Sequence, residues 1–133
     1  MRKYALEHVA ALLDRLASEV EHSRAARDAD AVHDLRVTIR RFGQSLRVFA
    51  PYLPKRAVRQ VRAQLHHIME LAGEVRNRDI TMELLAEAKM TAPHQATKQD
   101  RDLAMRILVS ELDRWCVEHE AVRWRAALEL PSA

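Results

Sequence analysis

The chain has 133 residues and a formal net charge of +3, enough length for one domain with a buried core. Only 2 glycines and 4 prolines stand against 48% hydrophobic residues, which favours helix over strand. The single Cys116 excludes a disulfide within one chain. The early charges of Arg2 and Lys3 and the lack of a span-length apolar run argue against a secretory leader or membrane helix, so a cytoplasmic protein is expected.

In chain order, four segments place apolar residues at alternating spacings of three and four. The first runs through Leu6, Val9, Leu13, Leu16 and Val20, and the second through Val32, Leu35, Ile39, Phe42, Leu46 and Phe49. The third runs through Val58, Val61, Leu65, Ile68, Ala72 and Val75, and the last through Met105, Leu108, Leu112, Trp115, His119, Val122 and Ala126. Each reads as a helix with one stripe toward a common core. Asp28 or Asp30 is placed to cap the second helix, and Pro54 to open the third. Asn77 or Asp79 is placed to cap a short segment from Ile80 to about Lys89, and Thr91–Thr97 reads as a loop. Nothing reads as a strand. The expected fold is all-α: an antiparallel four-helix bundle with a short extra helical segment after the third helix.

The modest net charge hides a segregation. From Leu35 to Met69 there is no Asp or Glu, although 31% of the chain is charged. Residues 33–78 carry ten Lys or Arg and three acids, a balance of +7; the remainder carries twelve basic and sixteen acidic residues, a balance of −4. Such a face suits an anionic partner. Eighteen of the basic residues are Arg and four are Lys. Arg favours bidentate phosphate contact, although a GC-rich genome gives the same bias.

Helical spacing sorts the basic residues into two stripes. On the second helix, His33, Arg36, Arg40, Gly43 and Arg47 each follow a seam residue, over ~21 Å. The same rule on the third helix selects Arg59, Arg62, His66, Met69, Gly73 and Arg76. Packed as neighbours, the two stripes could line one groove, though spacing alone leaves open whether they face each other. Fixed guanidinium groups neutralise many phosphates at once and release counterions. The competing reading is an ordinary solvated face whose arginine stems cover apolar surface, but such faces usually mix charge signs. Gly43 and Gly73 both fall in the stripes, where close helix approach or room for a ligand would explain them.

The segment His33-Asp34-Leu35-Arg36-Val37-Thr38-Ile39-Arg40-Arg41-Phe42 resembles the signature of the CHAD family, the conserved histidine α-helical domain, roughly His-x-x-Arg-Val-x-x-Arg-Arg-Leu. A second stretch, Gly73-Glu74-Val75-Arg76-Asn77-Arg78-Asp79-Ile80, is similar to the family's Leu-Gly-x-x-Arg-Asp-x-Asp-Val. The resemblance implies an all-helical domain that binds inorganic polyphosphate through basic helix faces and associates with polyphosphate granules. It implicates His33, Arg36, Arg40 and Arg41 from the first motif, and Arg76 and Asp79 from the second. Arg47, Arg59, Arg62 and His66 enter from the stripes alone. Gly43 stands where many members carry a basic residue, Asn77 replaces an Asp, and Ala72 replaces a Leu. A full family domain has two related bundles, so residues 1–133 would supply one. That points to a homodimer rebuilding the pair or to part of a longer chain.

Remaining residues carry smaller roles. Asp79, an anion itself, is expected to cap a helix or orient Arg76. His66 and His67 diverge by ~100°, and His8 and His22 lie ~21 Å apart, so no metal site is expected. His119 is expected in the core, with Trp115, Trp124 and Cys116 as packing residues. Glu70 and Glu74 read as solvated carboxylates. No nucleophile, base or phosphate loop is assembled, so neither an enzyme nor a cofactor is expected. The alternative is nucleic-acid backbone binding by the same face, against which stand aromatics at only 5%.

Overall fold

The computed structural model describes residues 1–132, which form five α-helices and one 3-10 turn joined by short connections, with no strand among them. Helix α1 spans Arg2–Ala26 and α2 spans Ala29–Val48. A single 3-10 turn, Ala50–Tyr52, precedes α3, Lys55–Glu87; α4 covers Thr91–Val117 and α5 covers Glu120–Ala127.

Local chemistry explains the boundaries. The Asp28 carboxylate accepts from the Ala31 N–H at 2.8 Å, so Asp28 and not Asp30 caps α2. Pro54, with no N–H to satisfy, immediately precedes α3. Four helix ends turn through left-handed backbone at Arg27, Lys89, His119 and Glu129.

Three expectations are corrected. The segment at Ile80 has no capped start of its own and is an extension of the third helix: α3 continues unbroken for 33 residues, about 50 Å. The expected loop, Thr91–Thr97, forms the first turns of α4. Pro93 sits in the first turn, where its missing N–H would be unbonded anyway. The last predicted helix is broken at His119, which is exposed with φ 54° and so is not a core residue.

One core joins every helix. α2 packs along α1 and α3, α3 along α4, and α1 also meets α4 and α5. Val9, Leu13, Leu16 and Val20 of α1 meet Leu35, Ile39, Phe42 and Leu46 of α2, with Val61, Leu65, Ile68, Val75, Leu108 and Leu112 closing the interior. Beyond the break, Trp124 takes the core place expected of Val122, which is 68% exposed. Its ring stacks on Phe42 at 6.1 Å between centroids and meets Trp115 edge-on at 5.4 Å. The Trp124 Nε1–H donates to Gln64 Oε1 at 2.7 Å and Glu120 Oε2 at 2.9 Å. Cys116 is partly buried against this core.

Asp79 is also reassigned. It is buried within α3 and accepts from Arg101 Nε of α4 at 3.0 Å, so it neither caps a helix nor pairs with Arg76. Arg101 in turn donates to the Arg27 carbonyl at 2.9 Å. One guanidinium thus ties α3 and α4 to the turn between α1 and α2.

Candidate functional site

A concave groove of ≈ 350 Å³ runs between α2 and α3. Arg40, Gly43, Gln44 and Arg47 form one wall, and Arg62, His66 and Met69 form the other, over a floor that includes Ile39 and Leu65. The two stripes therefore face each other. The helical period put each basic residue beside a seam residue, and packing of Ile39 against Leu65 turned both flanks toward one opening. Gln44, which spacing did not single out, belongs to the wall; it sits one turn from both Arg40 and Arg47.

Arg36 and Arg76 extend the charge beyond the groove. Arg36 is partly buried, and its Nε is shielded from solvent without a hydrogen-bond acceptor. Burial first, then the positive charges of Arg40 and Arg76, pushes its pKa below the ordinary arginine value. Three guanidinium groups thus gather where the protein supplies no counter-charge.

Outside α2 and α3 most arginines are paired, Arg2, Arg27 and Arg106 excepted. Arg15, Arg24, Arg78, Arg101, Arg114, Arg123 and Arg125 all pair with carboxylates. Among the described residues, Arg36, Arg40, Arg41, Arg47, Arg59, Arg62 and Arg76 take no part in any ion pair. Anions meeting this face displace no internal partner.

Not every expected residue joins the groove. His66 lines it, but Glu70 takes its Nε2 at 2.7 Å, so that nitrogen is no free donor. Glu70 is the first acid after the acid-free window. Arg59 lies with Lys55, Ala50 and Val58 around a separate ≈ 300 Å³ depression. Arg41 is exposed about 100° around α2 from Arg40. His33 is exposed near the start of α2, outside the groove wall. A Cβ added at either glycine meets nothing within 4 Å, so close helix approach explains neither. At Gly43 the missing side chain leaves the wall open.

One cluster with metal-ligand chemistry occurs among the described residues: Glu19, His22 and Asp34, with ligand atoms within 4.8 Å of one another. Asp34 comes from α2 and the other two from α1, a juxtaposition that spacing along one helix could not reveal. His22 and Asp34 are exposed, and Glu19 already lies 3.5 Å from His22 Nδ1 and 3.7 Å from Arg15 Nε.

Fold and groove together define an all-helical protein with a row of unpaired arginines on two packed helices. The chain belongs to the CHAD domain family, which it matches over residues 7–131. No curated protein and no solved structure matches it. The family is associated with polyphosphate binding.

Proposed function

We propose that this protein binds inorganic polyphosphate without turning it over, holding the chain along the α2–α3 groove. The observation that carries the reading is the row Arg36, Arg40, Arg47 and Arg62, unpaired and set on two packed helices. Rigid placement lowers the ordering cost of binding, and the charges persist at any physiological pH. Arg76 contributes by its position beside Arg36, and Arg41, Arg59 and His33 extend the basic face beyond the groove. The reading takes α1–α4 as an antiparallel bundle, supported by short connections between helices that pack in sequence. It places the protein in the cytoplasm, on polyphosphate granules; no helix is long and apolar enough to cross a membrane. It needs no metal or cofactor, because arginines supply electrostatic contact and no base.

Nucleic acid is the second reading, since its backbone offers the same charge. No Phe, Tyr or Trp lines the groove to stack a base, which favours polyphosphate. The test is titration of long-chain polyphosphate against the wild type and an Arg36→Ala/Arg40→Ala variant. The expected result is at least about a tenfold loss of affinity with helicity by circular dichroism unchanged. Equal binding by the variant would rule the groove out. Displacement of polyphosphate by duplex DNA at equal phosphate concentration would favour nucleic acid, and phosphate release with Mg²⁺ would refute the non-catalytic role.

A further inference from the structure

The far side of α3 from the basic groove carries a different surface. No residue from Ile80 to Ala104 is buried, so the end of α3 and the start of α4 form a helical pair that extends past the core. Apolar side chains nevertheless remain exposed there and just beyond it: Leu84 is 60% exposed, Leu103 51% and, one turn further along α4, Ile107 49%. Two adjoining concavities of ≈ 250 and ≈ 490 Å³ share Leu71, Leu103 and Ile107 as a continuous apolar floor along α3 and α4. Residue 71 of α3, the centre of this floor, lies about 180° and about 140° around the helix from 62 and 66, so an occupant of this face leaves the groove open.

We propose that this α3–α4 face is the interface of a two-fold dimer, with a second copy of the chain as its occupant. Charge complementarity selects that partner. At one end of the floor Glu74 is already paired with Arg78, and Asp100 is left without a partner. At the other end Glu111 is held by Arg114, and Arg106 is left without one. The residual charges are therefore opposite, and they lie three residues to either side of Leu103. An antiparallel pairing of two α4 helices on a two-fold axis beside Leu103 brings Asp100 of each copy level with Arg106 of the other. The same operation stacks Leu103 on its own counterpart and covers the apolar floor of both copies, as an isologous interface requires. A face about 30 Å long and about 20 Å wide offers roughly 600 Å² per partner, at the lower edge of specific interfaces. Its dissociation constant is therefore expected in the micromolar range.

Sedimentation velocity over a concentration series, without polyphosphate, tests this. The wild type is expected to shift reversibly from monomer to dimer. Leu103→Glu with Ile107→Glu, both at exposed positions, is expected to abolish the shift while helicity is retained. Asp100→Arg alone should weaken the dimer about tenfold, and adding Arg106→Asp should restore it. A chain that stays monomeric up to its solubility limit overturns the proposal, as does a dimer indifferent to the Leu103 and Ile107 changes. Assembly beyond dimers overturns the closed two-fold form. Polyphosphate affinity of the monomeric variant is expected to equal that of the wild type per chain, so interface and groove are judged separately.

Discussion

Arg36 is the residue at which stability and binding pull in opposite directions. Its stem packs beside the core while its guanidinium sits among Arg40 and Arg76, with its Nε shielded and unbonded. The lowered pKa means that the fold disfavours the charged form, yet the group cannot lose its proton in any working pH range. Burial of this charge, with the like charges of Arg40 and Arg76 added, is thus a standing cost that an anion bound as proposed would offset. Arg36→Met keeps the stem's length and removes the charge. It is expected to raise stability by roughly 0.5–1 kcal/mol while weakening polyphosphate binding. Urea unfolding at unchanged m, alongside a binding titration, checks both signs. A stability loss would show that Arg36 serves packing and not the anion.

At the scale of elements, paired charges hold the helices that the groove does not use. On α4, Glu111 accepts from Arg114 Nη2 at 2.6 Å, and Arg114 also pairs with Glu118. This hydrogen bond, acting against desolvation, holds the Glu111 pKa below the usual carboxylate value and raises that of Arg114. A carboxylate depressed in the folded state stabilises the protein fully above its unfolded pKa, about 4.3. That contribution is lost as pH falls through the folded value. Arg114→Gln is therefore expected to lower the melting temperature at pH 7 and to converge with the wild type under strongly acidic conditions. Thermal melts from pH 7 downward read the difference.

The same scale shows where the helical pattern was legible and where it was not. The seams of α1, α2 and α3 were readable because periodicity is a property of one helix. Asp79 looked like a helix start because, alone, a mid-helix Asp has no reason to be there. Its reason is Arg101, from another helix. Pro93 looked like a loop residue because proline interrupts helices everywhere except near their starts. The seam through His119 and Val122 was regular, yet Trp124 is the buried residue, because its ring fills the space against Phe42 and its N–H meets Gln64 and Glu120.

Along the chain, basic and acidic residues are segregated, and the balance of +7 within residues 33–78 falls on the segment that forms most of α2 and α3. Binding driven by that field must depend on salt. With Arg36, Arg40, Arg47 and Arg62 each neutralising a phosphate, log K against log salt is expected to slope at about −3. Removing one of these arginines is expected to reduce the slope by about 1. Titrations at a series of sodium chloride concentrations measure it. A flat response would mean that contacts other than these charges carry the affinity.

By itself the sequence determined the helical class, the seams of α1 to α3, the family motifs and the presence of two basic stripes. Each of these follows from local spacing and composition. Tertiary structure alone decided that the stripes face one opening and that Arg59 stays outside it, whereas the contact of Glu70 with His66 is an i,i+4 pair within α3. Tertiary structure also buried Arg36 beside Arg76, residues forty positions apart on different helices. The physical reason is that a helix sets the direction of its own side chains, while only packing between helices sets which directions meet.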